Sequence, residues 1–241
     1  MLLVSLEESR LKIVQNLQSN LAEIDNHPLR SGGLSPAELN RLAQSVNTLA
    51  NTPLYVCDDA RTPDAIRARV AAAKAKHGIG LVLIDHLSRV RVSGSSQYER
   101  TTRASGELVD IIKDAGVAGI IAAQLSRESA KRDDPRPTMT DLRDSGAIEQ
   151  DADGIILLHR EDYFGTRIAN YQPTGEAELL IEKMRDGRRG HTIVLDAKLR
   201  FQRFCNWPID RYSSALGMTP SESIQRRNYA NVQPAGEDIP V

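Results

Sequence analysis

The sequence predicts an α/β domain in three layers, with a mainly parallel sheet between helices and a few antiparallel strands added at its C-terminal end. Three observations lead there. Short apolar runs alternate with helical segments from residue 2 to about residue 158. One of those runs, Leu81-Val82-Leu83-Ile84, is apolar on both faces, as a strand covered by helices on each side must be. In the last part of the chain the pattern changes to short strands joined by turns such as Arg185-Asp186-Gly187.

Residues 2–4 form the first strand, and Leu11, Val14, Leu17 and Leu21 follow at near-helical spacing. Ser35-Pro36-Ala37-Glu38 is a capping box with proline at the first helical position, and Leu39, Leu42, Ala43, Val46 and Leu49 then share one helix face. After a short strand over 54–56, Thr62-Pro63 opens a helix that ends near His77-Gly78, where glycine takes the left-handed closing conformation. The apolar strand over 81–84 comes next. Residues 93–96 are rich in Gly and Ser and read as a flexible connection to a helix over 99–115, which turns Leu108, Ile111 and Ile112 inward and stops at Gly116. A second buried strand covers 117–122, a polar loop covers 127–137, and the sheet resumes at 155–158. Strands at 179–181, 192–195 and 201–204 make the antiparallel part. Residues 1–208 are thus read as one partial domain. Residues 209–241, with Pro220, Pro234 and Pro240 and no apolar period, are read as a polar, disordered tail.

Composition excludes several classes. The 241 residues are 40% apolar, enough for a real core. The longest apolar runs fall far short of the ~20 residues that a membrane-spanning helix needs, so no membrane partner is expected. Met1-Leu2-Leu3-Val4-Ser5 leads into Glu7 and Glu8 and lacks the features of a secretory signal, so a cytoplasmic location is expected. Cys57 and Cys205 lie far apart without metal-ligand spacing, which indicates neither a zinc site nor a disulfide framework. A formal net charge of -1 excludes a uniformly basic nucleic-acid binder and leaves that work to local cation clusters.

Ligands of open parallel sheets bind at the carboxyl ends of the strands, which singles out Glu7, Asp85 and Gln124. Asp85 closes LVLID, where a nucleotide hydrolase needs a carboxylate for hydrated magnesium; alone it fits a turn cap equally well. Glu7 alone fits a solvated glutamate in the first turn of a helix. Gln124 alone fits either a sensor of a terminal phosphate or a loop hydrogen bond. His86 and His159 are read as structural and given no chemistry.

Taken in order, the strings SLEES, LVLIDHLS, IIAAQLSR, DLRDSGAIEQDADGIILLHREDYF and IEKMRDGRRG resemble the motifs of the DnaB-type replicative DNA helicases over about residues 3–204. The departures are Ala123 for serine, Asp144 for glutamate and His86 for the common tyrosine. The resemblance implies a RecA-like domain that works in a hexameric ring. Such a ring uses ATP and Mg2+ to translocate on single-stranded DNA and unwind the duplex from 5′ to 3′, with primase and a helicase loader as further partners. By that resemblance Glu7 polarises the attacking water, Asp85 holds magnesium, and Gln124 reports the terminal phosphate to the DNA loops. Lys183 and Arg185 enter the neighbouring subunit's nucleotide site and offset charge on the phosphoryl group. Arg143, Asp144 and Gly146 belong to the DNA-binding loop. Read locally, residues 141–144 only start a helix, and Lys183 and Arg185 are exposed turn cations.

The phosphate loop G-x-x-x-x-G-K-[ST] does not occur in these 241 residues, which contain no Gly-Lys pair. The resemblance puts that loop before Ser5. An N-terminally truncated RecA-like domain is therefore expected, lacking a central strand next to that of Asp85 and leaving an apolar edge. Two functions stay open at this point. One is part of an ATP-dependent replicative helicase; the other is an ATPase-inactive homologue acting as a DNA-binding or regulatory subunit of a helicase ring.

Overall fold

Parallel pairing begins at the N-terminus. β1 (Leu2–Ser5) lies between β2 (Tyr55–Cys57) and β3 (Leu81–Asp85), and β4 (Ala118–Ile121) completes a sheet ordered β2-β1-β3-β4, with every pair parallel. The computed structural model describes residues 1–126, 128–132, 134–142, 145–165, 171–187 and 189–207. The expected tail over 209–241 lies outside the described residues, as do Arg143 and Asp144. Contacts group the chain into two units: Met1–Ser126 with Leu142–Asp151 and Arg200–Gln202, and Arg127–Asp141 with Ala152–Leu199 and Arg203–Val241.

The helices of the first unit follow the expected signals closely. α1 (Arg10–Ala22) starts at the Ser9 cap, and α2 (Asn26–Ser31) is a short helix that the sequence reading did not anticipate. α3 (Pro36–Ala50) opens with the capping box, Ser35 Oγ accepting from Glu38 N at 3.3 Å and Glu38 Oε2 accepting from Ser35 N at 2.8 Å. α4 (Pro63–His77) runs from the Thr62 cap to Gly78, whose φ of 60° favours a residue without a Cβ. α5 (Gln97–Ala115) begins two residues earlier than expected. Ser95 and Ser96 are ordered by it: Ser96 caps the helix, and Ser95 N and Oγ both donate to Glu99 Oε2. The Gly/Ser segment is in that part a helix start rather than a flexible connection.

Val82 and Ile84 of β3, Ile66 and Val70 of α4, and Leu108 of α5 are fully shielded from water and share one apolar core. The strand period of two puts Val82 and Ile84 on the same face, while Leu81 and Leu83 on the other face are only half-buried. Three expectations need correcting. α3 exposes Leu39 and Val46, because its covered positions are Leu42, Ser45 and Leu49. β4 is not buried: Ala118, Gly119 and Ile120 are exposed, since β4 pairs only with β3 and its outer edge has no strand partner among the described residues. The strand of Asp85 has no vacant side. β1 and β4 hydrogen-bond to both of its edges, so the open apolar edge belongs to β4, where Ile120 is 55% exposed.

The second unit is an antiparallel sheet, β5 (Gly154–His159), β6 (Glu176–Met184), β7 (His191–Lys198) and β8 (Arg203–Asn206), paired in that order. α7 (Glu161–Gly165) follows β5. β5, β6 and β7 are longer than the turn signals suggested, and β5 pairs antiparallel with β6 instead of resuming the parallel sheet. The last strand starts two residues late because Leu199–Phe201 form a 3-10 turn. No helix among the described residues is long and apolar enough to cross a membrane.

Leu108→Ala removes a fully buried side chain where α5 joins the core. It is expected to lower the stability of the first unit by about 2–5 kcal/mol, read as an earlier urea midpoint by circular dichroism. An unchanged midpoint would mean that α5 does not pack where it is described.

Candidate functional site

The register of β1 on β3 pairs Ser5 with Asp85, and Leu6 N extends the ladder by donating to Asp85 O at 2.7 Å. The turn that follows is closed by Ser5 Oγ donating to Glu8 O at 2.7 Å and by Arg61 Nη1 donating to Leu6 O at 2.9 Å. Glu7 is therefore carried on a fixed turn beside the end of β3. On the other side, Leu87–Arg89 form a 3-10 turn directly after β3. Buried Leu87 and Val90 anchor it, and Leu87 N donates to Ala122 O at 2.9 Å, two residues before Gln124.

These constraints bring the three expected strand-end residues of the first unit together. Glu7 and Gln124 line one cavity of about 340 Å³ with His86, Arg89, Gln97, Thr101 and Ile148. Asp85 does not line it but lies next to it, beside the lining residue His86, whose Nδ1 is 3.8 Å from Asp85 Oδ1 and 3.1 Å from Glu7 Oε2. Arg89 Nη2 donates to Glu7 Oε1 at 3.1 Å. The side chains of Glu7 and Asp85 are each 47% exposed, so both remain open to small ligands. Sequence reasoning missed the contacts of His86 and Arg89 with Glu7. Arg89 lies 82 residues from Glu7, and no local pattern marks that contact.

Asp85 presents a single half-exposed carboxylate at the end of β3. Among the described residues no group of three or more His, Cys, Asp or Glu is arranged to hold a metal. A single half-exposed carboxylate suits Mg2+, which keeps several waters and takes other oxygens from phosphates. It does not suit a cation that requires an all-protein cage.

Arg143 and Asp144 of the expected DNA loop lie outside the described residues; Gly146 is exposed in the first turn of α6 (Ser145–Asp151). The flanks of that loop are tied to the cavity. An antiparallel bridge pairs Leu142 with Leu125, the residue after Gln124. On the far side, Ile148 packs against the core and lines the cavity, and Ser105 Oγ of α5 donates to Asp151 Oδ2 at 2.5 Å.

Lys183 and Arg185 belong to the second unit. Lys183 is half-buried near the end of β6, opposite Ile155. Arg185 stands in the turn after β6, 60% exposed but held: its N donates to Asp153 O at 2.8 Å and its Nη1 is 2.5 Å from Asp153 Oδ1. It is thus a turn cation with a partner.

With this geometry in hand, comparison with known proteins identifies the family. A model of the DnaB-like helicase C terminal domain matches residues 1–206. The chain belongs to the DnaB-like helicase C-terminal domain family. It is 35% identical over 231 residues to the replicative DNA helicase DnaB of Rickettsia typhi, covering 88% of this chain and 46% of that protein. It is 33% identical over 223 residues to the replicative DNA helicase DnaC of Bacillus subtilis, covering 90% of this chain and 47% of that protein. The chain thus spans a little under half the length of these relatives. Among solved structures it resembles an ATPase domain, with a TM-score of 0.78 and 27% identity over 86% of this chain and 74% of that one. It also resembles a DnaB-like replicative helicase described with its interactions with primase, with a TM-score of 0.79 and 26% identity over 86% of this chain and 50% of that one. The fold is RecA-like.

The second unit of this DnaB-like chain holds a buried polar cluster that the sequence did not reveal. Arg136 Nε and Nη2 donate to Glu178 at 2.9 and 3.2 Å; burial pushes the Glu178 carboxyl up against the opposing pull of Arg136. Arg132 donates to both oxygens of Asp141 at 3.0 and 2.6 Å, and Thr138 N donates to it at 2.8 Å. Burial acts to raise the Asp141 carboxyl, but these bonds outweigh it and hold it low. His159 pairs with Glu178 across the strands and stacks on Phe164. Its Nδ1 is buried without a hydrogen-bond partner among the described residues. Burial first, and then the Arg136 charge, push its pKa down to about 4.

A folded-state pKa below the unfolded value of about 6.5 favours neutral His159 in the native state. The stability it contributes is fully present above pH 6.5 and is lost as pH falls toward about 4. The melting temperature of the second unit is expected to drop between pH 6.5 and 5, and His159→Gln should flatten that slope. An equal slope in the variant would assign it to other groups.

Proposed function

We propose that this chain is part of an ATP-dependent replicative DNA helicase, the part that positions the hydrolytic water, holds magnesium and grips single-stranded DNA within a hexameric ring. The observation that carries the proposal is the convergence of Glu7, Asp85 and Gln124 at the carboxyl ends of β1, β3 and β4, where parallel α/β sheets bind nucleotides. Magnesium, when bound, neutralises phosphate charge during transfer. Asp85 would hold it through one carboxylate oxygen. Glu7 would accept a hydrogen bond from the attacking water and turn its lone pair toward the phosphorus. Gln124 would donate its amide to the terminal phosphate, with the Leu125–Leu142 bridge leading from there to the DNA loop. Lys183 and Arg185 would complete the nucleotide site of the next subunit. Arg143, Asp144 and Gly146 would hold DNA phosphates without regard to sequence. Primase and a helicase loader are the further partners proposed.

The first test is to read the coding sequence in frame before Met1 and to assay the protein it encodes. A G-x-x-x-x-G-K-[ST] segment is expected there, with ATP turnover that Asp85→Asn and Glu7→Gln abolish. If turnover is missing but the chain co-purifies with a complete helicase, the regulatory-subunit reading replaces this one.

In the assembled ring, Arg185→Ala is expected to leave ATP binding nearly intact and to lower turnover by about a thousandfold. Normal turnover would remove the finger role. Arg143→Ala should weaken single-stranded DNA binding and make the plot of log K against log salt shallower by roughly 0.7. An unchanged slope would count against a phosphate contact at that position.

A further inference from the structure

Glu7 stands on a surface turn with nearly half of its side chain exposed, a setting in which a glutamate ordinarily samples several rotamers. Here each of its two oxygens has a neighbour of its own. Arg89 Nη2 donates to Oε1 at 3.1 Å, and His86 Nδ1 lies 3.1 Å from Oε2. These two neighbours of the carboxylate are themselves fixed. Both come from the turn after Asp85, which Leu87 N ties to Ala122 O at 2.9 Å, Arg89 N ties to His86 O at 3.0 Å, and buried Leu87 and Val90 anchor. The His86 side chain is only 15% exposed.

We propose that Arg89, with His86 at the other oxygen, is a positioning residue for Glu7: it holds the carboxylate in one orientation at the cavity beside Asp85. The inference rests on the proposed role of Glu7. Each carboxylate oxygen offers two acceptor sites, so one contact per oxygen leaves room for a water. The contact therefore directs the carboxylate without blocking it. An exposed Arg–Glu pair adds little to folding, so the consequence of losing Arg89 falls on the chemistry rather than on stability. Arg89 is not itself placed against the reacting atoms.

The test is steady-state ATP turnover in the full-length protein assembled as a ring, with circular dichroism to verify folding of each variant. Arg89→Ala is expected to lower kcat by about ten- to a hundredfold, with KM for ATP unchanged, because a carboxylate misplaced by an ångström loses catalytic geometry. Arg89→Lys keeps the charge but not the planar fork and should recover part of the loss. In a Glu7→Asp background, where the shorter carboxylate no longer reaches Arg89, the same Arg89→Ala change should cost little more. A loss confined to KM would make Arg89 a nucleotide contact, and an equal loss in both backgrounds would make it independent of Glu7; either result overturns the proposal, as does unchanged kcat. If instead Glu7→Gln turns over normally, the role of Glu7 itself fails, an outcome separate from these.

Discussion

The parallel pairing of β1 with β3 is the constraint on which the rest of the site depends. Four register pairs, Leu2 with Val82 through Ser5 with Asp85, align two strands that are 80 residues apart in sequence, and the Leu6–Asp85 backbone bond extends the alignment past the last pair. A slip of one residue would reverse the facing of Val82 and Ile84 and expose the centre of the apolar core, so burial itself protects the register. Glu7 and Asp85 are thereby set side by side by hydrophobic packing, before any interaction of their own is considered. Their location is a by-product of core formation.

α5 distributes this order. Leu108 and Ile111 enter the core, Gln97 and Thr101 line the cavity, and Ser105 reaches Asp151 of α6. β4 comes so close to the same helix that a side chain at Gly119 would collide with Ile112. One helix thus supports the sheet, the wall of the site and the C-terminal flank of the segment proposed to hold DNA. The net charge of -1 fits this picture, because several exposed arginines are matched by acids, as in Arg10–Asp58, Arg67–Asp114 and Arg69–Asp59. Little unpaired charge is left in those places to attract DNA indiscriminately.

Much of the architecture was legible because local signals agreed with the global fold. Thr62-Pro63 and His77-Gly78 bound α4 as read, the capping box starts α3, and the runs at residues 2 and 81 are strands. What escaped was set by long-range contact. Nothing in the sequence around Leu39 and Val46 says that the covered positions of α3 are Leu42, Ser45 and Leu49, and an apolar run does not distinguish an inner strand from the edge strand that β4 is. The site divided in the same way. Glu7, Asp85 and Gln124 could be named from strand ends and ordered motifs, whereas the Arg89 and His86 contacts and the Arg136–Glu178 pair join residues that only folding brings together. His159 is read from the sequence as structural, but its burial and displaced titration depend on a cross-strand neighbour that no local pattern displays.

The bridge between Leu125 and Leu142 has a mechanical consequence. Gln124 directly precedes one member of this backbone pair and position 143 directly follows the other, so two parts of the chain that lie 17 residues apart in sequence (142 − 125) are joined by a single bridge and cannot separate without breaking it.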